Sequence, residues 1–249
     1  MLKTLVLARR ELAAYFFSPV AYVIGALFLS GSAAVFFFGL SPLGIPIFEP
    51  VLASGATASL RPLFEAMAAI MVFAAPLLTM RLMSEEFRSG TIETLMTAPV
   101  TDAQVVLGKF LGVMGFYAAL LAGTTVLLAV MAVYSQPDLG VAASGYIGML
   151  LLGAAFLAVG LFASTLTEYQ IVAVIVGVAM LSAFALLTQF LMTHLGEPWN
   201  LLAARLSALD YFRSFARGTL DTRGLAFFLT TAALFLFLSI KTLESRRWR

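Results

Sequence analysis

Four stretches of this chain, residues 20–40, 110–134, 139–167 and 169–193, each run for more than 20 residues without a charged side chain. A helix needs about 20 apolar residues to cross roughly 30 Å of hydrocarbon, and a helix satisfies every backbone N–H and C=O internally. Each stretch therefore reads as a membrane span. Residues 225–240 form a fifth, extending to Leu243 if Lys241 snorkels to the interface. The sixth, 62–83, holds Glu65 near one end and Pro76 inside. Pro62 suits a first helical turn and Glu65 the positive end of the macrodipole, so this helix is predicted to start at Pro62 and to kink at Pro76.

The fold class that follows is an all-α integral membrane protein with six spans, at about 18–40, 62–83, 102–134, 141–165, 169–195 and 224–243, forming one transmembrane domain over 1–249. Composition agrees: 61% of residues are hydrophobic and 11% charged, against roughly 25% charged in a soluble domain. The chain has no Cys, which excludes disulfides, thiolate metal sites and thiol nucleophiles. A net charge of +2 gives no footprint for nucleic acid. Residues 1–17 carry Lys3, Arg9, Arg10 and Glu11 and read as an amphipathic segment, not a cleavable leader. Leu2, Leu5, Val6, Leu12, Ala13 and Phe16 recur there near helical spacing, opposite Lys3 and Arg10.

Basic residues are retained on the cytoplasmic side of membranes. Both termini inside places ten there (Lys3, Arg9, Arg10, Arg81, Arg88, Lys109, Lys241, Arg246, Arg247 and Arg249) and leaves five outside. Four of those five, Arg205, Arg213, Arg217 and Arg223, lie between spans five and six, in 196–223. That segment is too charged to span, yet Leu202, Leu206 and Leu209 mark one helical face. Read from its residues alone, it is an aromatic helix resting on the outer leaflet.

The connection between spans two and three, 84–101, is the most informative loop. Gly90 can stop the descending helix, Thr91 can cap a new one, and Glu93 falls in its first turn. Ile92, Leu95 and Met96 share a face and Pro99 ends the piece. Thr101 to Gln104 then has the form of a capping box for the third span. The result is a short amphipathic helix held between two spans. It fits either an interfacial helix or a docking element for a cytoplasmic partner, and Glu85, Glu86 and Glu93 favour the partner because anionic lipid repels them. Glu168, in the tight connection between spans four and five, reads either as a smaller second contact or as a solvated turn residue.

The stretch Glu86-Phe-Arg88-Ser-Gly90-Thr91-Ile-Glu93-Thr-Leu95, with Thr97-Ala-Pro99-Val and Gly108-Lys109, resembles the signature around the coupling helix of ABC-2 permeases, the membrane subunits of type-2 ABC exporters. The stretch from Phe212 through Phe215, Arg217 and Gly218 to Asp221, with the tail from Leu243 to Trp248, is similar to the gliding-motility and NosY-type subgroup. The resemblance implies six spans, an N-terminal elbow helix, a coupling helix in 84–101 and short outer re-entrant helices in 196–223. It implies ATPase coupling through Glu86, Arg88, Gly90, Thr91, Glu93, Leu95 and Pro99, and an outer gate at Phe212, Phe215, Arg217 and Gly218. Its partners are two copies of a cytoplasmic ABC ATPase and a second permease copy or related subunit, in the inner membrane, with room for a periplasmic or accessory membrane companion. No phosphate-binding Gly-x-x-x-x-Gly-Lys-Ser/Thr loop occurs in the chain, so ATP and Mg belong to the partner and this chain binds no cofactor.

Two other classes fit less well. An intramembrane enzyme needs converging carboxylates, a metal cluster or a nucleophile with its base, and the spans offer only Glu65. A gradient-driven secondary transporter or channel tends to carry acids at mid-membrane and repeated halves, and neither is visible.

Overall fold

The computed structural model describes residues 2–39, 60–91, 100–135, 137–184, 188 and 207–247. Eight helices fall within them: α1 (Leu2–Phe16), α2 (Pro19–Phe38), α3 (Arg61–Ser89), α4 (Asp102–Tyr134), α5 (Leu139–Leu166), α6 (Gln170–Ser182), α7 (Ala208–Ala216) and α8 (Thr222–Arg247). There is no strand among the described residues. Five helices, α2, α3, α4, α5 and α8, are long and apolar enough to cross a membrane, and α6 is a shorter apolar helix. The rest of the stretch expected as the fifth span lies outside the described residues, apart from its first turns and Thr188.

The helix boundaries follow local chemistry. Pro62 occupies the first turn of α3, where its missing N–H costs nothing. Gly90 ends α3 at φ 71°, a left-handed conformation that only glycine adopts readily. Thr101 and Gln104 form the reciprocal capping box that opens α4. Asp138 caps α5 by accepting from the N–H groups of Gly140 and Val141.

The core sits on α3 and α5, whose membrane-length windows are 67% and 72% buried, against 28% for α4 and α8. The sequence of α5 explains its central place. Glycines alternate with large residues along it, and aromatic side chains from the neighbours fill the gaps: Phe64 lies against Gly145, Tyr117 against Gly153 and Phe215 against Gly148. In lipid, helices associate through this kind of close packing, because burying apolar surface away from acyl chains gains little. The outer helices keep apolar faces exposed, as at Leu27, Val126 and Leu234. Two polar side chains inside the bundle find carbonyl partners: Tyr117 donates to the Met149 carbonyl at 2.9 Å, and Thr79 to the Ala75 carbonyl at 2.9 Å beside Pro76.

Length places the ends. At 1.5 Å per residue, the 33 residues of α4 reach about 50 Å and the 29 of α3 about 44 Å, both longer than a hydrocarbon core of roughly 30 Å. The surplus of α3 is its last turns, where Arg81, Glu85, Glu86 and Arg88 cluster. The first turns of α4 lie beside them, and α1 packs along α4 and reaches α3 through the Tyr15 hydroxyl.

Candidate functional site

Three helices meet where the 84–101 connection begins, and glycine makes the meeting close. A Cβ placed on Gly112 of α4 would lie 2.6 Å from Glu11 Cβ and 3.2 Å from the Ala8 carbonyl oxygen, so α1 rests on the backbone of α4. Gly108 and Gly115, four residues before and three after, receive Leu7 and Leu12 in the same way. These three glycines thus serve packing within the chain.

Lys109 follows Gly108 and is 3% exposed. Its Nζ lies 3.2 Å from Glu11 Oε1 of α1 and 2.8 Å from Glu86 Oε1 of α3. One ammonium therefore ties two carboxylates, each 13% exposed, across three helices. Glu86 keeps its second oxygen, Oε2, buried without a hydrogen-bond partner among the described residues. Removing Lys109 from this buried cluster is expected to destabilise the protein by about 3–5 kcal/mol, because the two carboxylates are left uncompensated.

A second set of bonds seals the same junction. Tyr15 of α1 donates through its hydroxyl to the Leu78 carbonyl of α3 at 2.6 Å and stacks on Phe116 of α4. Arg81 lies over the Tyr15 ring at 5.2 Å and donates to Ser18 Oγ at 2.6 Å. Burial lifts the Tyr15 phenol above its ordinary titration range, so it stays a donor. Ser164 of α5 accepts from the backbone N–H groups of Met83 and Ser84 and donates to the Met80 carbonyl, holding the same turns of α3 from the other side.

Of the residues singled out in the loop, Glu86 belongs to this cluster, Arg88 is exposed and Gly90 terminates α3. Thr91 is exposed, its hydroxyl 2.9 Å from that of Ser89. Glu93, Leu95 and Pro99 lie outside the described residues. Glu168 faces Arg246 at 3.9 Å, a partly exposed pair of small energetic weight. The stronger contacts of Arg246 are the Phe87 ring, 4.3 Å away, and the Leu166 carbonyl at 3.0 Å. The end of α8 is thereby attached to the last turn of α3 and to the turn that carries Glu168. The sequence places Lys109 at the end of the family signature, Glu11 in the amphipathic N-terminal segment and Arg246 among the cytoplasmic charges, and joins none of them to a partner. The one available signal was Glu11, an acid inside an otherwise basic N-terminal segment.

At the opposite end, α7 is held among α3, α5 and α8. Phe212 and Phe215 are buried, and the Phe215 carbonyl accepts a hydrogen bond from Ser144 at 2.9 Å. Gly218 has φ 90° and ends the α7 turn against Val141. Arg217 is exposed. Ser207 caps α7, and Asp210 and Arg213 form an ion pair at 2.7 Å on its surface. The two phenylalanines thus pack into the bundle, in place of the lipid contact that a surface helix would make. Residues 196–206 lie outside the described residues.

A bundle of this length and apolarity defines a multi-pass helical membrane protein. Residues 8–243 match the family described as ABC-2 family transporter protein, and the chain belongs to that family. It is accordingly a permease component of an ABC transporter, a class that works with an ABC ATPase subunit. None of the curated proteins matches the chain.

Proposed function

We infer that this chain is the membrane-spanning subunit of an ATP-driven exporter in the inner membrane, with six spans and both termini in the cytoplasm. ATP and Mg are bound by a separate ATPase present in two copies, beneath a pair of permease subunits. This chain hydrolyses nothing itself. The C-terminal stretch from Phe212 to Asp221 supports membership of the gliding-motility and NosY-type subgroup.

The observation that carries the reading is the bonding at the end of α3. The turn that leads into the 84–101 connection is bound to α1 and α4 through Glu86 and Lys109, to α5 through Ser164 and to α8 through Phe87 and Arg246. A displacement applied there by a closing ATPase dimer would reach most of the bundle as a rigid-body shift, because packed helices deform little. In this reading α1 is the elbow helix, Gly90 and Thr91 start the coupling helix, and Glu93 and Leu95 face the ATPase. Phe212 and Phe215 anchor the outer gate, with Gly218 as its turn and Arg217 at its rim.

The test is reversal of charge at Glu93 (Glu93→Lys) or a helix breaker at Leu95 (Leu95→Pro) in the assembled complex. Insertion and assembly should persist while stimulation of ATP hydrolysis is lost. An unaltered rate in an intact complex would overturn the coupling assignment.

A further inference from the structure

A cavity of about 510 Å³ opens at the three-helix junction, between α1, the start of α2 and the last turns of α3. Its size falls within the range of small-molecule sites, roughly 300–1,000 Å³. The wall carries both signs of charge: Arg10, Arg81 and Lys109 against Glu11, Glu85 and Glu86. Three cations balance three carboxylates, so a simple anion or cation gains little net field there, whereas a group bearing both charges can address each in turn.

The bonding shows which of these charges are still unspent. Lys109 is committed to Glu11 and Glu86. Glu86 is held through Oε1, and its Oε2 is closed off from solvent and so from the cavity. Arg81 gives one bond to Ser18 and holds further N–H groups in its planar fork. The side chains of Arg10 and Glu85, both exposed, make no hydrogen bond or ion pair among the described residues. The Glu85 carboxylate and the Arg10 and Arg81 guanidinium groups therefore face one space.

The rim of the cavity shows where a ligand would come from. Phe17 lines it and is 86% exposed, and Val20, at the start of α2, is exposed beside it. The cavity thus lies where α2 and α3 leave the hydrocarbon, with apolar side chains toward the membrane and charge away from it.

We propose that this cavity binds the head group of an aminophospholipid. The phosphate sits at Arg10 and Arg81, the primary ammonium at Glu85, and the acyl chains descend past Phe17 and Val20. A primary ammonium donates N–H groups to the Glu85 carboxylate. A quaternary choline has no N–H to give, and a glycerol head group has no positive charge. The site depends on the membrane embedding of the chain and not on the coupling role of the loop.

The experiment is native mass spectrometry of the full chain, purified in detergent and offered phosphatidylethanolamine, phosphatidylcholine and phosphatidylglycerol with identical acyl chains. One phosphatidylethanolamine per chain should be retained at least about tenfold more strongly than either competitor, the scale of a charge-assisted hydrogen bond. Arg10→Gln and Glu85→Gln alter exposed side chains and leave the packed junction intact, so without unfolding the chain Glu85→Gln should abolish that preference and Arg10→Gln should weaken retention of all three lipids. Equal retention of the three lipids, no retained lipid, or a preference that survives Glu85→Gln would overturn the proposal.

Discussion

Lys109 and Glu86 meet at 2.8 Å, joining the beginning of α4 to the end of α3 across a connection of a dozen residues. Glu11 closes the cluster from α1. Replacing the ammonium with an apolar chain of similar length, Lys109→Met, leaves two carboxylates facing one another in a buried site. The expected loss is about 3–5 kcal/mol, read as a lower midpoint of denaturation in detergent. Neutralising all three positions together, with Glu11→Gln and Glu86→Gln added, should recover most of it. Equal stability of Lys109→Met and the parent would show that the cluster contributes nothing.

Gly112 has no room for a side chain, since a Cβ would press on Glu11 and on the backbone of Ala8. Gly112→Leu is therefore expected to force α1 off α4, at a cost of about 1–3 kcal/mol from overpacking. The chain has no native Cys, so a single cysteine introduced at Ala8, which is buried, reports the event cleanly. It should react slowly with a thiol reagent in the parent background and rapidly beside Gly112→Leu. Slow reaction in both would mean that α1 stays seated.

These two features mark the boundary of what could be read from the residues alone. Apolar runs locate helices because hydrocarbon demands them, and stop signals such as Gly90 and the Thr101 to Gln104 cap act within a few residues of themselves. The Lys109 cluster depends on partners 98 and 23 positions away, and nothing local distinguishes Lys109 from a charge at a membrane edge. The face of α1 was harder still. Leu5, Val6 and Phe16, its regularly spaced apolar residues, are exposed at 62%, 67% and 44%, while Ala8 and Tyr15 are buried. Beside a membrane, apolarity does not separate the face that meets protein from the face that meets lipid. The small residues made the difference. Likewise the position of α7 followed from aromatic anchors seated over glycines of α5 and α8, a match between distant segments that no single stretch reveals.

Phe215 and Arg217 separate packing from surface charge in α7. Phe215→Ala empties a site enclosed by Gly148, Gly224 and Phe228, and is expected to cost about 3 kcal/mol in stability. Arg217→Ala should leave the denaturation midpoint unchanged, as expected for an exposed residue. A reversed order would mean that the outer segment is held by charge.

Arg246 stacks on Phe87 and donates to the Leu166 carbonyl. The planar guanidinium serves both contacts at once, which an ammonium does not reproduce. Arg246→Lys should therefore lower ATPase stimulation in the assembled complex almost as far as Arg246→Gln, with about 1 kcal/mol or less lost in stability for this partly exposed group. Full rescue by lysine would assign the effect to charge alone.

The proposed drive of these helices by a separate ATPase can be read in lipid vesicles that hold the chain with and without the ABC ATPase that purifies with it, recording ATP hydrolysis and transport activity together. The isolated chain is expected neither to hydrolyse ATP nor to move solute under an imposed ion gradient, and both activities are expected only in the complex. Gradient-driven transport by the chain alone would show that no separate motor is needed.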